Sequence, residues 1–389
     1  MKRCLLAALL LALTLAGCSW TNAAYHAVTP YEEQTAQTDD QVVSVTNYSQ
    51  LCQALENLIE GGGESQVFSV AQYAREWDNS EITSAIAQVL RENPIAAYAV
   101  DTVEFEEGTS GGQAAVAVSV SYVHDRTEIL KIKHVADIDA AKEAIAQELE
   151  DCAAGTVLYL SHYEDVDLVQ FVEDYALLYP QYVMETPEVT VNLYPETGEE
   201  RVVELKFTYQ TSRDALRTMQ TQVRTVFTSA VLYVSGDAAD QEKFSQLYSF
   251  LMERYDYQLD TSITPAYHLL RHGVGDAKAF ATVYAAMCRE AGLDCQTITG
   301  TRWGEPWSWN LVCDSGTYYY VDLLRCSGEG GFTEMTQEQM EGYVWDYSAY
   351  PGQETTEATE GTEATDSTEA TENAEATENT EDAESTEST

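Results

Sequence analysis

The sequence predicts an α+β protein whose N-terminal half is built twice, and three observations predict it. Apolar residues recur at i, i+4 and i+7 ahead of two prolines: Ile82, Ile86 and Val89 before Asn93-Pro94, and Leu168, Val172 and Tyr175 before Tyr179-Pro180. That spacing lays one apolar stripe along a helix, and the proline ends it. Alternation follows in both places, with Val116, Val118, Val120 and Tyr122 in the first and Val203, Leu205, Phe207 and Tyr209 in the second. A period of two marks a strand with one buried face. The helix and strand patterns also keep the same offset along the chain to within one residue, which identifies a duplication by register rather than by identity.

The remaining elements of each copy follow from their neighbours. Gln66–Val70 and Thr156–Leu160 read as a strand ahead of each helix, and Val103–Phe105 and Val189–Val191 as a short strand after each proline. The stretches GTSGGQ and YPETGEE carry turn residues and join the later strands as hairpins. Arg126 and Arg213 stand four residues beyond each Tyr, where the pattern becomes helical again. The expected unit is therefore β-α-β-β-α, occurring over 43–150 and 151–235. Its repeated positions are nearly all apolar at core spacing, so the region reads as a spacer or binding module. The two arginines are expected to form a buried or hairpin-bracing salt bridge.

Composition and the termini narrow the function classes. A formal net charge of −45 excludes nucleic acid or an anionic membrane surface as a partner held through a basic patch. Lys2 and Arg3 precede an apolar run, Leu5–Leu15, that is too short to span a bilayer. The run ends in Leu15-Ala16-Gly17-Cys18, which resembles a bacterial lipobox. The expectation is a signal peptide over 1–17, a lipidated Cys18 and a tether over 18–42. This makes the protein extracytoplasmic and lipid-anchored to the bacterial cell membrane. Residues 351–389 repeat Thr and Glu with no large apolar side chain, so this acidic tail is expected to be disordered. No Cys-x-x-Cys or His-Glu-x-x-His occurs, and neither a metal nor a cofactor is expected. Of the cysteines beyond Cys18, Cys295 and Cys313 are the pair to suspect of a disulfide, since export permits one.

The C-terminal third, 236–350, carries the chemistry. Phe244, Leu247, Tyr248 and Leu251 fall at helical spacing, as do Phe280, Val283, Tyr284, Met287 and Cys288, with Gly292 near the second helix's end. Strand patterns follow at Gln296–Thr299, Trp309–Cys313 and Tyr318–Leu323. The run GVGDAKAFATVYAAMC, then WSWN, then YVDLL, resembles the transglutaminase-like, papain-like family, whose pattern is Gly-x-Gly-x-Cys-x-x-Tyr-Ala, His-x-Trp-Asn and Val-Asp. The resemblance implies that the family's cysteine position falls on Ala277, its histidine position on Trp307 and its aspartate position on Asp322.

That triad chemistry needs three particular groups. A cysteine at a helix N-terminus has its thiolate stabilised by the helix dipole, a histidine takes the proton, and an aspartate orients the imidazole. Ala277 has no nucleophile and the Trp307 indole is no base. Cys288 reads as a core thiol, while His268 and His272 have no neighbouring thiol at a recognisable spacing. Trp303, Trp307 and Trp309, with Asn310, Arg302 and Glu305 beside them, form the candidate binding cleft, either open or filled by Trp307. The expected function is non-catalytic: binding or scaffolding at the cell envelope, with a peptide, peptidoglycan or a protein as partner. The alternative is an active cysteine-type peptidase or amide-transferring enzyme using unassigned residues.

Overall fold

A computed structural model describes residues 42–73, 76–259 and 262–350 of the chain. The signal segment, Cys18, the tether as far as residue 41 and the tail 351–389 lie outside the described residues. The described residues up to Trp345 belong to one unit. None of the described helices is long and apolar enough to cross a membrane.

The duplication is complete down to strand order. The first copy runs β1 (Val43–Ser44), α1 (Tyr48–Glu60), β2 (Ser65–Ser69), α2 (Asn79–Glu92), β3 (Val100–Ser110) and β4 (Gln113–Tyr122). The second runs β5 (Lys133–Val135), α3 (Ile138–Glu150), β6 (Gly155–Leu160), α4 (Leu168–Leu178), β7 (Glu188–Tyr194) and β8 (Arg201–Thr208). Their sheets are ordered β1-β2-β4-β3 and β5-β6-β8-β7. In each, the first two strands are parallel and the others antiparallel.

The unit is thus β-α-β-α-β-β, one strand and one helix longer at its start than alternation reveals. β1 and β5 span two and three residues, too few for a period to register. The second copy accordingly begins at Lys133, and the expected junction at 150/151 falls between α3 and β6, inside that copy.

Local chemistry explains why the helices sit where they do. Asn47, Asp78, Asp137 and Asp167 cap α1 to α4, each side chain accepting from a backbone N–H of the first turn. The exits of α1 and α3 are the same motif. Gly62 N–H donates to Ile59 O and Gly63 N–H to Leu58 O, while Cys152 N–H donates to Leu149 O and Ala153 N–H to Glu148 O. The left-handed residue is Gly62 at φ +61° in one copy and Cys152 at φ +48° in the other.

Arg126 and Arg213 lie over these two turns. The Arg126 side chain fills the space above Gly62, and Arg213 Nε donates to Asp151 O at 3.0 Å. Neither forms an ion pair among the described residues, so the expected salt bridge is replaced by packing and a bond to a helix-end carbonyl.

Each copy has its own core, centred on Phe68, Ile82 and Val116 in the first and on Ile145, Val172 and Leu205 in the second. The seam between them is made by Ile95, Tyr98 and Ala99, from a short helix at Pro94–Ala99, against Val202 of β8.

The third core begins earlier than the expected boundary at 236. Helix α5 (Arg213–Tyr233) contributes Leu216, Val223, Phe227 and Ala230 to one cluster with α6 (Asp240–Met252) and α7 (Ala277–Glu290). A parallel pair, β9 (Asp256–Tyr257) and β10 (Val274–Gly275), leads into α7. The sheet is β11 (Cys295–Arg302), β12 (Glu305–Asp314), β13 (Thr317–Val321) and, after α8 (Leu323–Glu329), β14 (Tyr343–Val344). It is antiparallel throughout, in the order β13-β12-β11-β14.

Cys295 stands opposite Val312 in this sheet, which turns Cys313 to the other face. All six described cysteines are free, and the suspected Cys295–Cys313 bridge is excluded by this register.

Gly155 opens β6 at φ +151°, and a Cβ there would collide with the carbonyl oxygen of Leu205 on β8. Gly155→Ala is expected to cost more than about 2 kcal/mol, through strain and a displaced strand. A lowered midpoint in chemical denaturation, larger than that of Gly108→Ala, where a Cβ meets open space, checks it.

Candidate functional site

The site is built on a carboxylate that β13 delivers into the interior. Asp322 is 1% exposed and is the N-cap of α8, with Oδ1 accepting from Leu324 N–H at 3.1 Å and Arg325 N–H at 3.2 Å. Oδ2 accepts three further donors: Tyr343 OH at 2.6 Å, Trp307 Nε1 at 2.9 Å and Arg302 Nη1 at 3.3 Å. A carboxylate this deeply buried needs such a set, because desolvation is offset only by a cation and by filled lone pairs. The Arg302 guanidinium lies over two aromatic rings, 5.5 Å from the Trp307 centroid and 5.3 Å from that of Tyr343. Burial, followed by the neighbouring Asp322 charge, pushes the Tyr343 phenol well above its ordinary range, so it remains a donor.

The N-terminus of α7 supplies the other half. Asp276 caps it, with Oδ1 accepting from Ala279 N–H at 2.8 Å, and Ala277 is its first residue, 7% exposed. Tyr257 links this end of the helix to the carboxylate. Its backbone is in register with Gly275, two residues before Ala277, and its ring lies 5.8 Å from that of Trp307.

Trp307 and Asp322 are thus joined by a hydrogen bond, while the four residues expected to form a cleft are not gathered in one. Trp309 is fully buried, edge-on to Tyr343 at 5.0 Å and Trp345 at 5.3 Å. Asn310 is fully buried and ties sheet to helix, Nδ2 donating to Ala281 O at 2.8 Å and Gln296 O at 3.3 Å. Trp303 is 68% exposed in the β11–β12 turn, its indole lying over Gly342. Only Trp307 of the four borders the neighbouring cavity of about 600 Å³, which Tyr255, Tyr257, Arg302 and Arg325 also line.

Alternation turns Asn310 away from Trp307 and Trp309, which share a face of β12; Trp309 stands two residues further into the strand, under Tyr343 and Trp345, and Trp303 lies before the strand, in the turn. Sequence reasoning missed Tyr343 as a ligand of Asp322. It follows a loop after the last motif, and no local pattern marks it. Arg302 was visible beside the tryptophans, but its partner was not.

Cys288 and Cys326 both belong to the third core. Burial pushes Cys288 well above its ordinary value and raises Cys326 to about 11, so both are neutral thiols in the core. The rings of His268 and His272 lie 5.1 Å apart, tilted at 46°, just ahead of β10. Among the described residues, no group of three or more His, Cys, Asp or Glu could hold a metal ion.

Residues 228–348 match the family model of the transglutaminase-like superfamily. This segment is a transglutaminase-like domain.

The match begins inside α5, in agreement with that helix's place in the third core. The chain is also similar to a crystal structure of a TGase, at 9% identity over 43% of this chain and 50% of that one, with a TM-score of 0.25. A provisionally named protease from Parabacteroides distasonis matches at 10% identity over 66% of this chain and 39% of its own, with a TM-score of 0.22. A provisionally named cysteine protease from Cytophaga hutchinsonii matches at 12% identity over 41% and 70%, with a TM-score of 0.24. The chain therefore spans half or less of the first two. No match to a curated protein was found.

In the transglutaminase-like domain, Trp307→Phe and Tyr343→Phe each remove one donor from Asp322 and keep an aromatic ring. Each is expected to cost about 1.5–3 kcal/mol in guanidinium denaturation, the range for a bond to a charged group. The double variant should depart from additivity, because both donors serve one oxygen.

Proposed function

We propose that the transglutaminase-like domain is a retained scaffold that binds rather than catalyses, carried by a lipoprotein anchored through Cys18 at the outer face of a bacterial membrane. The observation that carries this reading is the Trp307–Asp322 hydrogen bond. An imidazole in that place would offer one N–H to the carboxylate and keep a second nitrogen to accept a proton. The indole offers the N–H and has no second nitrogen. It fills the structural role of the base and leaves the chemical role empty.

Ala277 completes the picture. It occupies the first position of α7, where the helix dipole would favour a thiolate, and presents a methyl group. With Tyr343 and Arg302 also on Oδ2, the aspartate holds its surroundings together instead of steering a proton carrier. The exposed rim of the depression at Trp307, with Tyr257 and Arg325, is the surface left for a peptide, peptidoglycan or protein partner at the envelope.

Incubation with amine donors and with peptide or wall fragments is expected to give no turnover, and thiol-sensitive turnover would defeat the reading. The double variant Ala277→Cys, Trp307→His is expected to become alkylated by iodoacetamide at residue 277. Peptide mapping is the readout, since Cys52 and Cys313 are themselves partly exposed. A folded double variant with no modification at residue 277 would remove support for the assigned positions.

A further inference from the structure

The C-terminal end of α7, opposite Ala277, borders a depression with an excess of positive charge. Arg289 and Glu290 close the last turn of α7, Arg224 stands on α5, and Tyr179, Gln181 and Tyr182 follow α4. Together they line a cavity of about 390 Å³, within the size range of small-ligand sites. At 1.5 Å per residue, Arg289 lies about 18 Å along the helix from Ala277.

In a chain with 65 acidic and 20 basic residues, carboxylates are in surplus, and an arginine without one is a departure. Arg224 and Arg289 form no ion pair among the described residues. The Arg224 side chain makes no hydrogen bond among them either, and its guanidinium lies over the Tyr182 ring, 5.3 Å from the centroid. Arg289 is half-buried and donates only to the carbonyls of Cys295 and Leu178, with the Tyr179 ring 5.9 Å away. Carbonyls do not cancel a charge, and burial holds this guanidinium below its ordinary value. Glu290 is the one acid in the lining, so two guanidiniums face one carboxylate.

A neutral acceptor belongs to the same lining. Gln181 is 4% exposed, the most buried residue there, and forms the floor. Its amide donates to the Glu290 carboxylate, while its Oε1 has no donor among the described residues. An enclosed amide oxygen left unpaired is costly unless a bound group supplies the N–H. Two guanidiniums with an acceptor beneath them suit a ligand that carries a negative charge and an N–H close together. Acetate has the charge and lacks the N–H.

We propose that this depression captures a chain-terminal carboxylate. The carboxylate lies between Arg224 and Arg289, whose planar forks match its two oxygens, and the amide N–H of the same terminal residue donates to Gln181 Oε1. A terminal residue holds both groups on one Cα, which is the combination the lining offers partners for. This chemistry has two sources, the C-terminus of a peptide or a free N-acylated amino acid. The site is separate from the depression at Trp307 and does not depend on whether the domain is catalytic.

Calorimetric titration of the full chain tests it with N-acetylalanine, N-acetylalanine amide, acetate, inorganic phosphate and N-acetyl-trialanine as probes. N-acetylalanine is expected to bind at least tenfold more tightly than acetate, and its amide, which has lost the charge, not measurably. Arg224→Gln, an exposed change, is expected to weaken N-acetylalanine by about tenfold and leave the denaturation midpoint unchanged. Gln181→Met, which removes the acceptor, should weaken N-acetylalanine several-fold and leave acetate where it was. Glu290→Gln removes the competing carboxylate and should strengthen both. Tighter binding of N-acetyl-trialanine than of N-acetylalanine assigns the site to a peptide terminus, and equal or weaker binding assigns it to a free N-acylated amino acid. Acetate, phosphate or the amide binding as tightly as N-acetylalanine, no binding of either acetylated acid, or an affinity unmoved by Arg224→Gln and Glu290→Gln would overturn the proposal.

Discussion

A helix buried around most of its circumference must be enclosed on every side, and α7 is such a helix. Eleven of its fourteen residues are buried, among them five alanines and Thr282, with Phe280, Tyr284 and Met287 as the large side chains. Surfaces of small residues let neighbouring backbones approach closely, and the neighbours are dictated by it. The sheet lies against it through Asn310, which donates to the Ala281 carbonyl. Helix α6 is tied to it by the buried Tyr284 hydroxyl, which donates to Phe244 O at 2.9 Å. The second repeat is tied to it by Arg289, which donates to Leu178 O and to Cys295 O and lies over Tyr179. The N-terminus of α7 is fixed as a result of this enclosure, whatever residue stands there.

The Asp322 cluster is the polar counterpart of that enclosure. One carboxylate caps a helix with one oxygen and, with the other, holds side chains from three strands, β11, β12 and β14. With an indole at residue 307 the aspartate is therefore fully engaged. The indole, the phenol and the guanidinium leave Oδ2 no unfilled acceptor site of consequence.

What the sequence made legible was whatever repeats at short range. Alternation found β4 and β8, helical spacing found α2, α4, α6 and α7, and the Trp-Asn and Val-Asp dipeptides marked β12 and the end of β13. Two- and three-residue strands such as β1 and β5 carry no period, so the true start of each repeat stayed hidden. Burial around β12 was also hidden: three tryptophans close in sequence suggested one aromatic surface, yet Trp303 is exposed in the turn while Trp309 is sealed under Tyr343 and Trp345, a covering that comes from residues distant in sequence. Tyr343 reaches Asp322 only because β14 returns to the edge of the sheet, a long-range pairing that no local window contains. The two left-handed turns show the same limit, since Gly62 announces such a turn and Cys152 does not.

Helix α5 directly follows the last strand of the second repeat and gives its apolar face to the third core. Its residues Leu216, Val223, Phe227 and Ala230 share one cluster with Phe244 and Phe280, and Cys152 and Met184 from the second repeat join them. A domain is ordinarily an independent cooperative unit, with few contacts across its border. Here a border drawn ahead of α5 still cuts Cys152 and Met184 from the cluster they join and parts Gln220 of α5 from the Glu150 and Tyr182 carbonyls to which it donates. The second repeat and the transglutaminase-like domain should consequently open as one cooperative event, and the first repeat, with its separate core, is the part able to loosen alone.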